Sequence, residues 1–107
     1  MRLTKRTEKL ESEIERPASD YAALRRWFGF KLMLANINGL PDRWFFRARR
    51  QPCPTCGSTH EMLAIEFKRP GVEELRPDQV QRKADLAKAG VTVHVVNDLD
   101  VAKGLLK

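Results

Sequence analysis

Residues 91 to 96, VTVHVV, are almost continuously β-branched and carry few charges. A run of this kind reads as a strand covered on both faces, because branched side chains pack well on a pleated surface and a half-solvated strand would alternate with polar residues. The segment just before it, residues 77 to 89, has the marks of an amphipathic helix. Pro77 stands at its start, Val80, Ala84 and Ala87 line one side with Leu86 beside them, and Gly90 closes it. A helix feeding into a strand of this composition belongs to a layered α/β structure, a mixed sheet flanked by helices.

The rest of the chain fits that class. Residues 3 to 15 read as a polar helix laced with i,i+4 charge pairs. Pro17 is best placed in the first turn of a second helix, 17 to 28, whose apolar stripe is Ala18, Tyr21, Leu24 and Phe28 and whose end is Gly29. Residues 31 to 35 (KLMLA), 43 to 47 (RWFFR) and 62 to 67 (MLAIEF) read as three strands. Residues 36 to 39 are a turn, 51 to 60 an excursion, and 98 to 106 a short final helix. With 107 residues there is room for one domain, spanning 1–107, and for one real core without disulfide staples. A 42% hydrophobic and 32% charged composition is that of a globular chain rather than a disordered one. No apolar run approaches the ~20 residues of a membrane span. The first sixteen residues are too charged for a signal-peptide core, so a cytoplasmic location is expected.

The net charge of +6 makes a polyanion partner plausible. Arg43, Arg47, Arg49 and Arg50 crowd one segment whose single acid is Asp42. These arginines and Arg69 are the candidate contacts to such a polyanion. Asp42 itself opens a strand, directly after Pro41. Glu66 and Lys68 are two apart in another strand, so they project to one face while Phe67 points the other way. If the two strands pair as a hairpin, Asp42 lies near the base of that face. Two converging carboxylates repel, and a hard cation such as Mg²⁺ (or Mn²⁺) relieves the repulsion. A lysine beside it could orient an attacking water or neutralise phosphate charge. Taken alone, an E-x-K pair is more often a solvated strand face.

The surrounding blocks change that weighting. Gly39-Leu-Pro-Asp-Arg43, Ile65-Glu-Phe-Lys-Arg-Pro-Gly71, Leu75-Arg-Pro-Asp-Gln79 and Leu86-x-x-x-Gly90-Val-x-Val follow one another in the chain. In that order they resemble the VRR-NUC domain, the virus-type replication-repair nuclease branch of the PD-(D/E)xK superfamily, in its small stand-alone phage and bacterial form. The resemblance covers about residues 11 to 100. It implies a restriction-endonuclease-like core and a Mg²⁺-dependent endodeoxyribonuclease. Asp42 and Glu66 would be the metal carboxylates, the Phe67 backbone carbonyl a further ligand, Lys68 the catalytic lysine, and Gln79 a glutamine facing the site. A first-helix glutamate would join them. Glu15 is preferred and Glu11, on the same face, is second. The stand-alone members further imply a homodimer cutting branched or Holliday-junction DNA. The alternative is an inactive DNA-binding or zinc-knuckle adaptor domain, although Asp42, Glu66 and Lys68 are all intact.

The excursion departs from the compact family pattern. Pro52-Cys-Pro-Thr-Cys-Gly57 has the spacing of a zinc knuckle, with His60 behind it. Three readings stand open. Zn²⁺ could be held by Cys53, Cys56 and His60, completed by water, Glu61 or a second subunit. The turn could hold no metal, or the thiols could be a redox pair. His94 reads as a packed strand histidine. Trp27, Trp44, Phe45 and Phe46 divide between core positions and base-stacking ones. Leu3, Leu10, Ile14, Trp27 and Phe28 together suggest more apolar surface than a monomer hides, which a dimer would cover.

Overall fold

The computed structural model describes residues 2–33, 37–72 and 74–107, with the side chains of its first helix described from Ser12 onward. That helix, α1, is one continuous element, Arg2–Leu24, with Pro17 inside it. The expected break at Pro17 is absent. Proline removes one backbone hydrogen bond and crowds the preceding turn, at a cost of about 3 kcal/mol. Here Ile14, Ala18 and Ala22, on either side of it, are all buried in the same core. Burial of a stripe continuous across the proline holds the two halves in line. Leu3, Leu10 and Glu11 lie outside the described side chains.

α1 also ends earlier than Gly29. The Trp27 N–H donates to the Ala22 carbonyl at 2.9 Å and the Arg26 N–H to the Ala23 carbonyl at 3.1 Å. This double closure puts Arg26 in the left-handed region at φ +67, a position usually given to glycine. An arginine there costs about 1 kcal/mol. The chain then turns directly into β1, Phe28–Lys31, upstream of the expected 31–35 strand, whose last two residues, 34 and 35, lie outside the described residues. Gly29 is a strand residue, not a helix stop. A Cβ on it would come within 2.7 Å of the Phe45 ring, so glycine lets β1 lie close over that side chain.

β2 is Arg43–Ala48, β3 His60–Phe67, α2 Pro77–Lys88, β4 Val93–Val96 and α3 Leu99–Leu105. The sheet runs β1-β2-β3-β4, antiparallel through its first three strands, with β4 parallel to β3. This is a small α/β fold with a four-stranded mixed sheet and three helices, as expected from the sequence. β4, however, is an edge strand. Val93 and Val96 are buried while His94 and Val95 are half-buried, so its coverage is incomplete. The crossover through α2 delivers it beside β3, and no further strand follows among the described residues.

Alternation along β2 and β3 separates the two faces. Phe45, Ile65 and Phe67 enter a core with Ile14, Ala18, Ala22 and Trp27 of the N-terminal segment and Ala102 and Leu106 from the C-terminal one. The Trp27 indole donates to the Leu106 carbonyl at 2.8 Å, joining the two ends of the chain. On the opposite face α2 packs near β4, while Phe28 is 70% exposed and Phe30 stacks on Phe46 with centroids 6.1 Å apart. Ile14 and Trp27 are therefore core residues, not spare apolar surface. No helix among the described residues is long and apolar enough to cross a membrane.

Candidate active site

The site is built where the β1–β2 connection meets the start of α2. Gly39, at φ +86, lies so close to the Asp78–Gln79 backbone that a Cβ there would collide with the Asp78 carbonyl and come within 2.9 Å of the Gln79 nitrogen. Pro41 is fully buried, and its carbonyl accepts from the Trp44 indole at 2.8 Å. Asp42 follows. The Leu32 N–H donates to its backbone carbonyl at 2.6 Å, extending the β1–β2 ladder by one step. In the β2–β3 pairing Arg43 stands opposite Ile65, so the next step outward sets the Asp42 backbone opposite Glu66.

Asp42 belongs to a charged cluster on the α1 side. Its Oδ2 is 4.0 Å from the Lys31 ammonium, which is also 3.6 Å from Glu15 Oε1. Glu15, 8% exposed, accepts from Arg43 Nε at 2.7 Å. Asp42 Oδ1 is buried and has no hydrogen-bond partner. Burial, then the nearby Glu15 charge, push the Asp42 carboxyl above its ordinary range against the opposing pull of Lys31 and Arg43. Of the two first-helix candidates, Glu15 is thus beside Asp42, held by two cations. Glu11 lies outside the described side chains.

Glu66, Lys68 and Gln79 form the adjoining cluster. Glu66, in β3, and Lys68, one residue past its end, come together on one side of the strand, as the alternation predicts. The Lys68 ammonium lies 3.9 Å from Glu66 Oε2 and donates to Gln79 Oε1 at 3.0 Å. Gln79 sits in the first turn of α2 and is 5% exposed. The same Oε1 accepts from the Arg76 backbone N–H at 2.9 Å, a helix-start bond that fixes the amide toward the lysine. Phe67 sends its ring into the core. Among the described residues no three His, Cys, Asp or Glu side chains gather closely enough to hold a metal ion. The structure thus places Asp42, Glu15, Glu66, Lys68 and Gln79 at one end of the sheet, in two neighbouring clusters.

The arginines divide. Arg43 and Arg47 are engaged internally: Arg43 with Glu15, and Arg47 with Glu61 at 2.9 Å and over the Trp27 ring at 4.1 Å. Arg49, Arg50 and Arg69 are exposed. Trp27 and Phe45 are core, which leaves Trp44 and Phe46 on the more open face. His94 is half-buried, and burial followed by the Lys83 charge lowers its pKa, in keeping with a packed strand histidine.

The 51–60 excursion is a hairpin end between β2 and β3. The Cys53 N–H donates to the Ser58 carbonyl at 2.9 Å and the Gly57 N–H to the Cys53 carbonyl at 2.8 Å. Backbone N–H groups of Cys56 and then Thr55, followed by the Cys56 side chain, pull the Cys53 thiol down to about 7, and Arg49 adds to this. Both cysteines are free, and His60 is exposed at the start of β3. Iodoacetamide should therefore label Cys53 before Cys56, with a rate midpoint near pH 7 by peptide mass spectrometry. Labelling of Cys53 that rises only above pH 8 would show that the turn does not stabilise a thiolate.

Sequence reasoning missed Lys31, the cation that bridges Glu15 and Asp42. Its signal was weak: a lysine at the edge of an apolar run, with its partners 16 residues before and 11 after. No protein-family model matches the chain, and a search of curated proteins finds no significant match.

Proposed function

We propose that the chain is a metal-dependent endonuclease of the PD-(D/E)xK type, hydrolysing DNA phosphodiester bonds at the Asp42–Glu66–Lys68 end of the sheet. The observation that carries this reading is the strand register: pairing of Arg43 with Ile65 brings Asp42 opposite Glu66, with Lys68 two residues further on and tied to Gln79. The helix, three antiparallel strands, helix and parallel strand in that order support it.

The donor set suits a hard divalent cation. It is made of oxygens, and Asp42 Oδ1 is a buried acceptor with no donor of its own. Asp42, Glu66 and the Phe67 backbone carbonyl would hold Mg²⁺, with Glu15 near enough to adjust the local charge. When bound, the ion supplies Lewis-acid polarisation of a phosphate oxygen and a more acidic water. Lys68 presents its ammonium to the phosphate and offsets charge that develops as the nucleophile adds. Gln79, itself fixed by the Arg76 N–H, keeps that ammonium in place before substrate arrives. Lys31 shields Asp42 from Glu15.

The test is nicking of supercoiled plasmid. Cleavage should require Mg²⁺ or Mn²⁺, and Glu66→Gln or Lys68→Ala should lower it at least ~100-fold, the scale of losing a group that acts on the transition state. DNA binding without nicking in any divalent metal would leave the adaptor reading instead. In its stronger form, the reading has two copies cutting branched DNA together, because one chain carries one such site. Sedimentation should then give about twice the 12.3 kDa chain mass, and a four-way junction should be cut in preference to plain duplex. A monomer that cuts duplex and junction equally would remove the stronger form only.

A further inference from the structure

A second basic feature lies at the other end of the sheet. Arg25, Arg26, Arg47, Arg50 and Lys107 line a cleft of about 510 Å³, with Glu61 the one acidic side chain among its described lining residues. It is about 17 Å from Asp42 along β2, the rise of about five base pairs.

Within the cleft the charges are unequal in role. Arg47 is its fixed floor: Nε donates to Glu61, one terminal nitrogen donates to the Arg25 carbonyl at 3.0 Å, the other to the Lys107 main-chain oxygen at 2.7 Å, and the guanidinium lies over Trp27. It fastens the end of α1, the β2–β3 hairpin and the C-terminal segment together, and it occupies Glu61. Arg25, Arg26, Arg50 and Lys107 make no ion pair among the described residues. Four cations with no ion pair among the described residues thus line a polar depression. Arg26 is in addition held at φ +67, where glycine would be the unstrained choice. A residue kept at a conformational disadvantage, in the middle of a cluster of its own charge, fits a role outside the fold.

We infer that this cleft is a phosphate-binding site for a nucleic-acid backbone, a docking point separate from the proposed cleavage centre. Four cations lining one cleft suit a chain of phosphates better than one ion, and their contacts would be with backbone rather than bases. The proposal rests on the nuclease reading only in its choice of DNA as the ligand.

The experiment measures anisotropy of a fluorescent 20-base-pair duplex with the full chain in EDTA, across a series of salt concentrations, alongside thermal melting. R26G should melt at or above the wild-type temperature, yet bind at least ~3-fold more weakly and lower the salt slope by about one. R50Q, which leaves the backbone untouched, should weaken binding similarly. K88Q, an exposed lysine on α2, should change little. Inorganic phosphate at millimolar concentration should compete poorly. Wild-type affinity and slope in both R26G and R50Q, or an equal loss in K88Q, would overturn the site. Full competition by inorganic phosphate would overturn the backbone as its ligand. Because EDTA stops cleavage, these outcomes stand apart from failure of the nicking assay.

Discussion

Gly39→Ala should destabilise the fold by about 3 kcal/mol and displace the candidate active site from both sides. Two costs combine. The φ of +86 is a left-handed conformation that a non-glycine residue occupies at about 1 kcal/mol. The added methyl would also drive into the Asp78 carbonyl and the Gln79 nitrogen, and overpacking of this kind costs about 1–3 kcal/mol. The obstruction is backbone and cannot rotate away. It belongs to the first turn of α2, held by Pro77 and by the Gln79 bond to the Arg76 N–H. Something must therefore move. If the loop lifts, it takes buried Pro41 and then Asp42 with it. If α2 shifts, Gln79 leaves Lys68. Gly90→Ala, at a similar φ but with open space around the new methyl, supplies the control. It should lose about 1 kcal/mol. Equal losses in urea denaturation of the two variants would show that the close approach of loop and helix is not there.

That contact explains why part of the site was legible in the sequence. The G-x-P-D block and the R-P-D-Q block are far apart in the chain, yet Gly39 rests on Asp78 and Gln79, so the residue types in each block answer to the other. Glu66 and Lys68 were legible for a local reason: strand periodicity places i and i+2 on one face without reference to anything else. α2 was readable from Pro77 at its start; the cap of α3 is a finding of the structure, where the Asp98 carboxylate accepts from the Val101 N–H at 3.3 Å.

What the sequence concealed depended on distant partners. Pro17 is a strong local stop signal, but the core does not read local signals. Ile14 and Ala18 are buried on the same side, and tertiary packing outweighs one missing hydrogen bond. Gly29 looked like a helix end because helix ends favour glycine, whereas the structure uses it to bring β1 over the Phe45 ring. The actual end carries Arg26, a residue no capping preference would choose. VTVHVV has the composition of an interior strand but lies at the edge, because strand order is a property of the crossover and not of the strand. Lys31 and Arg43 acquire their roles only once α1 brings Glu15 to them.

Asp42→Asn should abolish nicking while leaving the protein at least as stable as the wild type at pH 7. An ionised Asp42 is costly to this fold: it is partly buried, one oxygen has no donor, and Glu15 repels it. Lys31 at 4.0 Å and Arg43 recover only part of that cost, since the carboxyl remains above its ordinary range. The folded state therefore holds the Asp42 proton more tightly than the unfolded chain does. By linkage the contribution of this group to stability is complete below the unfolded pKa and is lost as pH rises through the folded one. Above the folded pKa the wild type bears this loss and the asparagine variant bears none. The melting-temperature difference should favour the variant at neutral pH and shrink as pH falls through the carboxylate range, where the native side chain becomes neutral too. Nicking should be absent at every pH, because an amide does not replace a carboxylate as a ligand for a hard cation. A variant that melts well below the wild type at pH 7 would mean that Asp42 is chiefly the ion-pair partner of Lys31, holding β1 to β2. Retention of Mg²⁺-dependent nicking would exclude it as a metal ligand.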